Sequence, residues 1–304
     1  MSQAPRIAII GGPTASGKTA LSIALAQKWG CHIVNADSRQ VYTELHIGVA
    51  KPTKEEFAAA PHRLFGHVSI QEEYNAERYA QEASQALRES IAETGAVVLC
   101  GGTGLYIRAL MEGMNELPQP SEAVQKQVQY CFDQHGIVGL RKAIMAADPL
   151  AHERLDMFNP QRMQRALELL WESGQSLNEL YQQKAESPIA DLLTDAQVDY
   201  LALNWDRETL YDRIHKRCDS MMEAGLLDEV SSLLPYQHLN ALQTVGYTEW
   251  FDYRNRLMNY REALDKMKQN TRRYAKRQVT WFKNQFPTRW IPADRWQEDR
   301  LFLP

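Results

Sequence analysis

Residues 7–19 read IAIIGGPTASGKT. The apolar run Ile7 to Ile10 has the length of a buried strand and stops at Gly11 and Gly12. From Gly12 the spacing G-x-x-x-x-G-K-T runs to Gly17, Lys18 and Thr19, and helix-forming residues follow. Strand, glycine loop, helix is the context in which this spacing has a physical meaning. Glycines let consecutive backbone N–H groups turn inward on an anion, and the helix N-terminus adds the positive end of its dipole. Gly12, Pro13, Thr14, Ala15, Ser16, Gly17, Lys18 and Thr19 are therefore expected to cradle phosphates. Lys18 would reach the outer phosphate, and the Thr19 hydroxyl would hold a magnesium ion. The spacing leaves open whether the ligand is a nucleoside triphosphate such as ATP or another diphosphate.

The remainder of the chain organises around this loop. Its 304 residues, 44% apolar, suffice for a full core with an added lobe, and the fold class expected is α/β. A formal charge of -4 excludes a generally basic nucleic-acid coat, so a polyanionic partner must meet a local patch. Cys31, Cys100, Cys131 and Cys218 form no C-x-x-C pair, which suggests neither a zinc site nor a disulfide framework. No leader and no apolar run of membrane-spanning length is legible, so no membrane partner, a cytoplasmic location and a monomer are the expectations.

After the loop, residues 20–29 have helical spacing and Gly30 is placed to stop them. A second strand, His32 to Asn35, delivers Asp37 and Ser38 to the C-terminal edge of a parallel sheet, where open α/β sheets bind ligands. Asp37 is the candidate acid or base; an Asx turn would place an aspartate there equally well. The segment RQVYTELHIGVAKPT, with little periodicity, reads as a functional loop. Residues 74–93 form a helix ended by Gly95. The strand Val97 to Cys100 then meets a second glycine turn, Gly101 to Gly104, whose Thr103 can donate to a phosphate oxygen. An NTP-hydrolysing protein would carry a metal-binding carboxylate there.

Residues 120–187 read as an inserted helical lobe, framed by 1–119 and 188–304 as the α/β core. In the lobe, Asn159-Pro160 starts a helix whose first turns hold Gln161, Arg162, Met163, Gln164 and Arg165; glutamine and arginine reach base edges and phosphates, though a solvated face would look similar. The strand Tyr200 to Leu203 returns to the sheet, and a long helix follows with Arg213 and Arg217 four apart on one face. In LDKMKQNTRRYAKRQVTWFKNQF, cations alternate with Tyr274, Trp281 and Phe282, a pattern that suits a phosphate backbone with unstacked bases, or a basic face whose aromatics are core. A short final strand is expected at Trp290 and Ile291.

The pieces GGPTASGKTAL, NADSRQVY, HIGVAKP, APHRL, GGTGLYIRAL, NPQRMQRALE, VGY and AKRQVTWF, in one order between residues 11 and 283, resemble the bacterial tRNA dimethylallyltransferases, the isopentenyl-diphosphate:tRNA transferase family. The resemblance implies a P-loop core with a helical insertion. It also implies transfer of a dimethylallyl group from dimethylallyl diphosphate to the exocyclic amine of the adenosine just 3′ of the anticodon. By that similarity Asp37, Thr103 and Arg217 are catalytic, and the Gly12 to Thr19 loop holds a diphosphate with Mg2+. The anticodon stem-loop of tRNA would meet Asp37, Ser38, Arg39 and Gln40, the group Gln161 to Arg165, Gln243, Gly246 and Tyr247, and Lys276, Arg277, Gln278, Trp281 and Lys283. Gln125, Gln243 and Thr248 depart from the family pattern, which often has arginine there.

Three other readings are available. An adenylate prenyltransferase would not need the insertion or the basic aromatic C-terminal segment. A small-molecule P-loop kinase would miss its strand-end carboxylate, and a non-enzymatic RNA-binding module would leave the phosphate loop without a use.

Overall fold

In the computed structural model, which describes residues 4–115, 117–182, 185–299 and 301–302, the expected strands appear as β1 (Arg6–Gly11), β2 (His32–Asn35), β4 (Ala96–Cys100), β5 (Gln197–Asn204) and β6 (Arg289–Pro292), and a polar pair outside those expectations forms β3 (His62–Arg63). They form one parallel sheet in the order β3-β2-β4-β1-β5-β6. Ile7 and Ile9 pack with Val97 and Leu99 in one core cluster, while Ala8 and Ile10 pack with Val98 and Ile33 in another. Both faces of β1 are thus dry, which is why it reads as an unbroken apolar run. Each fully buried isoleucine contributes roughly 1.5–3 kcal/mol, so the loop that follows stands on a rigid base.

The helices are α1 (Lys18–Trp29), α2 (Lys54–Ala59), α3 (Ala76–Thr94), α4 (Gly104–Glu112), α5 (Glu122–Ala147), α6 (Pro160–Ser173), α7 (Leu177–Leu180), α8 (Ala190–Asp195), α9 (Arg207–Glu223), α10 (Leu226–Leu233), α11 (Thr248–Arg254) and α12 (Tyr260–Gln285). As expected, α1 and α3 stop at Gly30 and Gly95, whose N–H groups return to the carbonyls of Ala26 and Ile91.

The chain divides into two compact units, Met1–Met111 with Ser187–Pro304, and Glu112–Glu186. The second unit begins at Glu112, before the expected boundary at 120. It has its own core, in which Val128, Leu140 and Ile144 of α5 meet Met163, Leu167 and Leu170 of α6. Within α5 the backbone leaves helical geometry at Gly136, so the element is two helical stretches joined by a kink. No helix among the described residues is long and apolar enough to cross a membrane.

The sheet register positions the functional residues. Asn35 pairs with Cys100, and Cys100 with Ile10. The segments leaving β2, β4 and β1 therefore stand side by side at the C-terminal edge: Asp37, then the second glycine turn, then the phosphate loop.

Candidate active site

The phosphate loop begins where β1 runs out of apolar residues. Gly17 closes it at φ 102°, a left-handed conformation that any β-carbon would strain, and caps α1 from there. Residues distant in sequence then fix its backbone. Gln278 of α12, only 5% exposed, accepts from the Thr14 N–H (2.8 Å) and donates to the Gly102 carbonyl (3.0 Å), tying both glycine turns to one side chain. A β-carbon on Gly102 would sit 2.1 Å from the Gln278 amide nitrogen, so glycine there is what admits the bridge. Arg213 Nε donates to the Ala15 carbonyl (2.8 Å), Trp205 Nε1 to the Ser16 carbonyl (2.8 Å), and Arg217 to the Thr14 hydroxyl.

The loop forms one wall of a cleft of about 550 Å3. Lys18, Lys51, Arg213, Lys216 and Arg217 face it against two carboxylates, Asp37 and Glu56, so a chain of net negative charge has a cationic pocket. Lys18 Nζ turns back on the carbonyls of Pro13 (2.7 Å) and Gly12 (3.2 Å). Burial draws its pKa down to about 8, opposed by Cys100 and Asp37. Burial also lowers Arg217, whose Nε is buried without a hydrogen-bond partner among the described residues, as is the Ser16 hydroxyl. Unpaired buried donors around an electropositive cleft are costly unless an anion completes them.

Asp37 occupies the position expected of it, in the wall of this cleft and of a smaller crevice that shares Thr14, Val49 and Arg217. The Asx turn is present, and it leaves the carboxylate in the cleft wall. One carboxylate oxygen accepts from the Arg39 N–H (2.9 Å) in an Asx turn, while the side chain faces the phosphate loop. Thr103 Oγ1 accepts from the Ser38 N–H (2.9 Å) and donates to the Ser38 hydroxyl (3.2 Å), locking the second glycine turn to the β2 end. The Thr19 hydroxyl lines the cleft and takes no protein partner among the described residues. No group of three or more metal-ligating side chains is present among them.

The loop expected at RQVYTELHIGVAKPT forms the facing wall, through Gln40, Val49, Ala50, Lys51 and Pro52. Gln40 Nε2 braces it at the carbonyls of Val49 (3.0 Å) and Ala50 (2.9 Å). Glu229 of α10 accepts from the N–H groups of His46, Ile47 and Gly48 and from the Tyr247 hydroxyl (2.6 Å). Arg39 is spent on the carbonyls of Asn240 and Ala241.

Several expected RNA contacts are corrected. Met163 is fully buried in the core of the helical unit, because it falls on the apolar stripe of α6. Tyr247 is buried, its ring against Gly48, and Gly246 donates its N–H to Glu249 (2.9 Å). Gln278 is a brace and faces inward. Trp281 and Phe282 also turn inward, onto Gly104 and Gly11, with the Arg108 guanidinium 5.5 Å from the Trp281 ring. Of the two readings of α12, aromatics in the core holds for these two. Lys276, Arg277 and Lys283 point outward and are exposed, as are Gln161, Arg162, Arg165 and Gln243; Ser38 and Gln164 are half-buried.

Sequence reasoning missed Trp205 and Glu229. Trp205 had a faint signal, an aromatic just past a strand end; Glu229 had none, since apart from the Tyr247 hydroxyl its partners are backbone groups about 180 positions away.

The family described as IPP transferase matches residues 40–285. A tRNA dimethylallyltransferase of Cytophaga hutchinsonii is 39% identical over 298 residues, covering 98% of this chain and 96% of its own. A tRNA dimethylallyltransferase 1 of Bacteroides thetaiotaomicron is 39% identical, covering 98% and 95%. Among solved structures, the full-length tRNA isopentenylpyrophosphate transferase of Bacillus halodurans superposes with a TM-score of 0.68 at 32% identity, covering 95% of this chain and 90% of that one.

Proposed function

The chain belongs to the IPP transferase family, and from that premise we propose that it transfers a dimethylallyl group from dimethylallyl diphosphate to the exocyclic amine of the adenosine 3′-adjacent to the anticodon in tRNA, acting as a monomer in the cytoplasm. The observation that carries this is the placement of one carboxylate, Asp37, in the wall of the same cleft as the phosphate loop. An aromatic exocyclic amine is a weak nucleophile. Asp37 accepts its proton as the new carbon–nitrogen bond forms and the carbon–oxygen bond to the diphosphate breaks. The leaving diphosphate takes the electron pair. Lys18, the backbone N–H groups of the loop and Arg217 meet that growing charge, while Thr103, expected to donate to a phosphate oxygen, has its hydroxyl proton on Ser38 and acts by holding the second glycine turn.

Thr19 would hold Mg2+ together with diphosphate oxygens and water, a ligand set that needs no cage of carboxylates; the ion supplies charge neutralisation. An adenine stacked in the anticodon loop has to be extruded to reach Asp37. The exposed Gln243, Lys276, Arg277 and Lys283 of the α/β unit hold the stem-loop, and in the helical unit the exposed Gln161, Arg162 and Arg165 of α6 contact RNA as well. Glycines where a kinase or NTPase needs a strand-end carboxylate, at Gly101 and Gly102 after β4, speak for prenyl rather than phosphoryl transfer.

The test is incubation with dimethylallyl diphosphate, magnesium and unmodified tRNA, followed by mass spectrometry of the RNA. One added prenyl group per tRNA, mapped beside the anticodon, is expected. Prenylation of AMP or ADP alone would move the assignment to an adenylate prenyltransferase.

A further inference from the structure

A second cleft, of about 270 Å3, lies on the β5 side of the phosphate loop, whereas Asp37 lies on the β2 side. Pro13 of the loop, the end of β5, the first turns of α9, the outward face of α12 and β6 enclose it. Three half-buried rings, Trp205, Tyr211 and Trp290, line it together with three exposed cations, Arg207, Lys276 and Lys283. The lining contains no carboxylate, and none of the three cations has an ion-pair partner among the described residues. Core packing accounts for the buried parts of the rings. It does not account for three cations without counter-ions converging on the rim, two of them over ring faces: Arg207 5.2 Å from the Tyr211 centroid and Lys283 5.7 Å from that of Trp290.

Rings beneath unpaired cations suit a ligand that is flat and aromatic at one end and anionic at the other. We propose that this cleft takes one nucleotide of the RNA substrate other than the one that reacts, its base against the rings and its phosphate on Arg207, Lys276 and Lys283. The proposal rests on the reading of the chain as a tRNA-modifying enzyme. The volume admits a single nucleoside and is smaller than a pocket for a drug-sized ligand. The occupant would touch the back of the phosphate loop, since Pro13 is in the wall and Trp205 holds the Ser16 carbonyl. A free mononucleotide presents the same chemistry, so the experiment separates the two sources.

The full chain is irradiated with tRNA carrying 4-thiouridine, and cross-linked peptides are mapped by mass spectrometry. Peptides containing Trp205, Tyr211 or Trp290 are expected. Val279, half-buried in the cleft wall, is replaced by tryptophan (Val279→Trp) to fill it, with circular dichroism checking the fold. RNA affinity should fall about ten-fold, the effect of losing one stacked base, with KM for dimethylallyl diphosphate unchanged. Lys283→Gln, at an exposed position that does not endanger folding, should weaken RNA binding a few-fold and lower the salt slope by about one. AMP that quenches tryptophan fluorescence in the parent but not in Val279→Trp would assign the site to free nucleotide; protection only by RNA would assign it to the strand. Both variants binding RNA like the parent, with cross-links confined to the Asp37 side, would overturn the proposal. If the parent prenylates no tRNA, the reading of the reaction fails, and the cross-links still decide the cleft.

Discussion

The phosphate loop and the first turns of α6 both present polar groups suited to anions, yet the molecule holds them in opposite ways. The loop is braced from afar. Gln278 reaches Thr14 across 264 positions, Arg217 across 203 and Trp205 reaches Ser16 across 189. In α6 the ties are fewer and shorter in sequence: Asn159 caps the helix at the Arg162 N–H (3.2 Å), Arg165 meets Glu168 at 3.4 Å, and the one longer reach is from Gln164 to Gln129, across 35 positions, among the described residues. Gln161 and Arg162 stand exposed. The difference teaches that a residue near the loop acts through geometry shared with many others, while a residue on α6 acts alone through what it touches. Substitutions should therefore leave different signatures in the two regions.

The sharpest break would come at Asp37. Asp37→Asn keeps an acceptor for the Arg39 N–H and so keeps the turn, but it cannot take a proton. Turnover in single-turnover assays should fall by roughly two orders of magnitude or more, with tRNA binding retained. Activity surviving this change would require a different base.

Next comes Lys18→Met, expected to weaken dimethylallyl diphosphate binding by roughly ten- to a hundred-fold, since one charge-assisted contact is lost. Its pH signature is distinctive. Burial holds the folded pKa at about 8, below the unfolded value near 10.5, so between those values the unfolded chain carries more protons and stability of the unliganded protein rises with pH. Lys18→Met should abolish that rise and stabilise the free protein at neutral pH by something on the order of 1 kcal/mol, readable by denaturant titration. In the parent, diphosphate affinity should fall above pH 8, with proton uptake on binding measured by calorimetry in two buffers.

Gln278→Ala tests whether that side chain is a brace or an RNA contact. Removing it leaves the Thr14 N–H and Gly102 carbonyl without partners, each worth roughly 1–3 kcal/mol when buried. Diphosphate affinity should drop about ten-fold and the melting temperature with it, while the salt slope of RNA binding stays. A lowered slope with intact diphosphate binding would restore the RNA role.

Smallest are Arg277→Ala and Arg162→Ala. Each should weaken RNA binding only a few-fold and lower the salt slope by about one, without moving the melting temperature or diphosphate affinity. A melting shift at either would erase the contrast between the two regions.

What could be read in advance follows the same division. The phosphate loop, the glycine helix stops and the strands other than β3 were legible because their physics is local: a glycine conformation, a run of apolar residues, a cap; β3 is a polar pair whose pairing with β2 no local signal gives. Asp37 was legible because its place depends on where one strand ends. The inward turn of Trp281 and Phe282 was not, since alternation of cations and aromatics describes both a stacking platform and a helix laid against a sheet edge; only the glycines at 11 and 104, which make room for those rings, decide it. Met163 was misplaced for a related reason. A motif names consecutive residues, but a helix sends every third or fourth of them to the core.

The bridge made by Gln278 also has a consequence for synthesis on the ribosome. The anion cradle emerges 264 positions before the side chain that braces its backbone. A nascent chain therefore carries the recognisable motif well before α12 can hold it in shape, and the loop takes its folded form only when that helix docks.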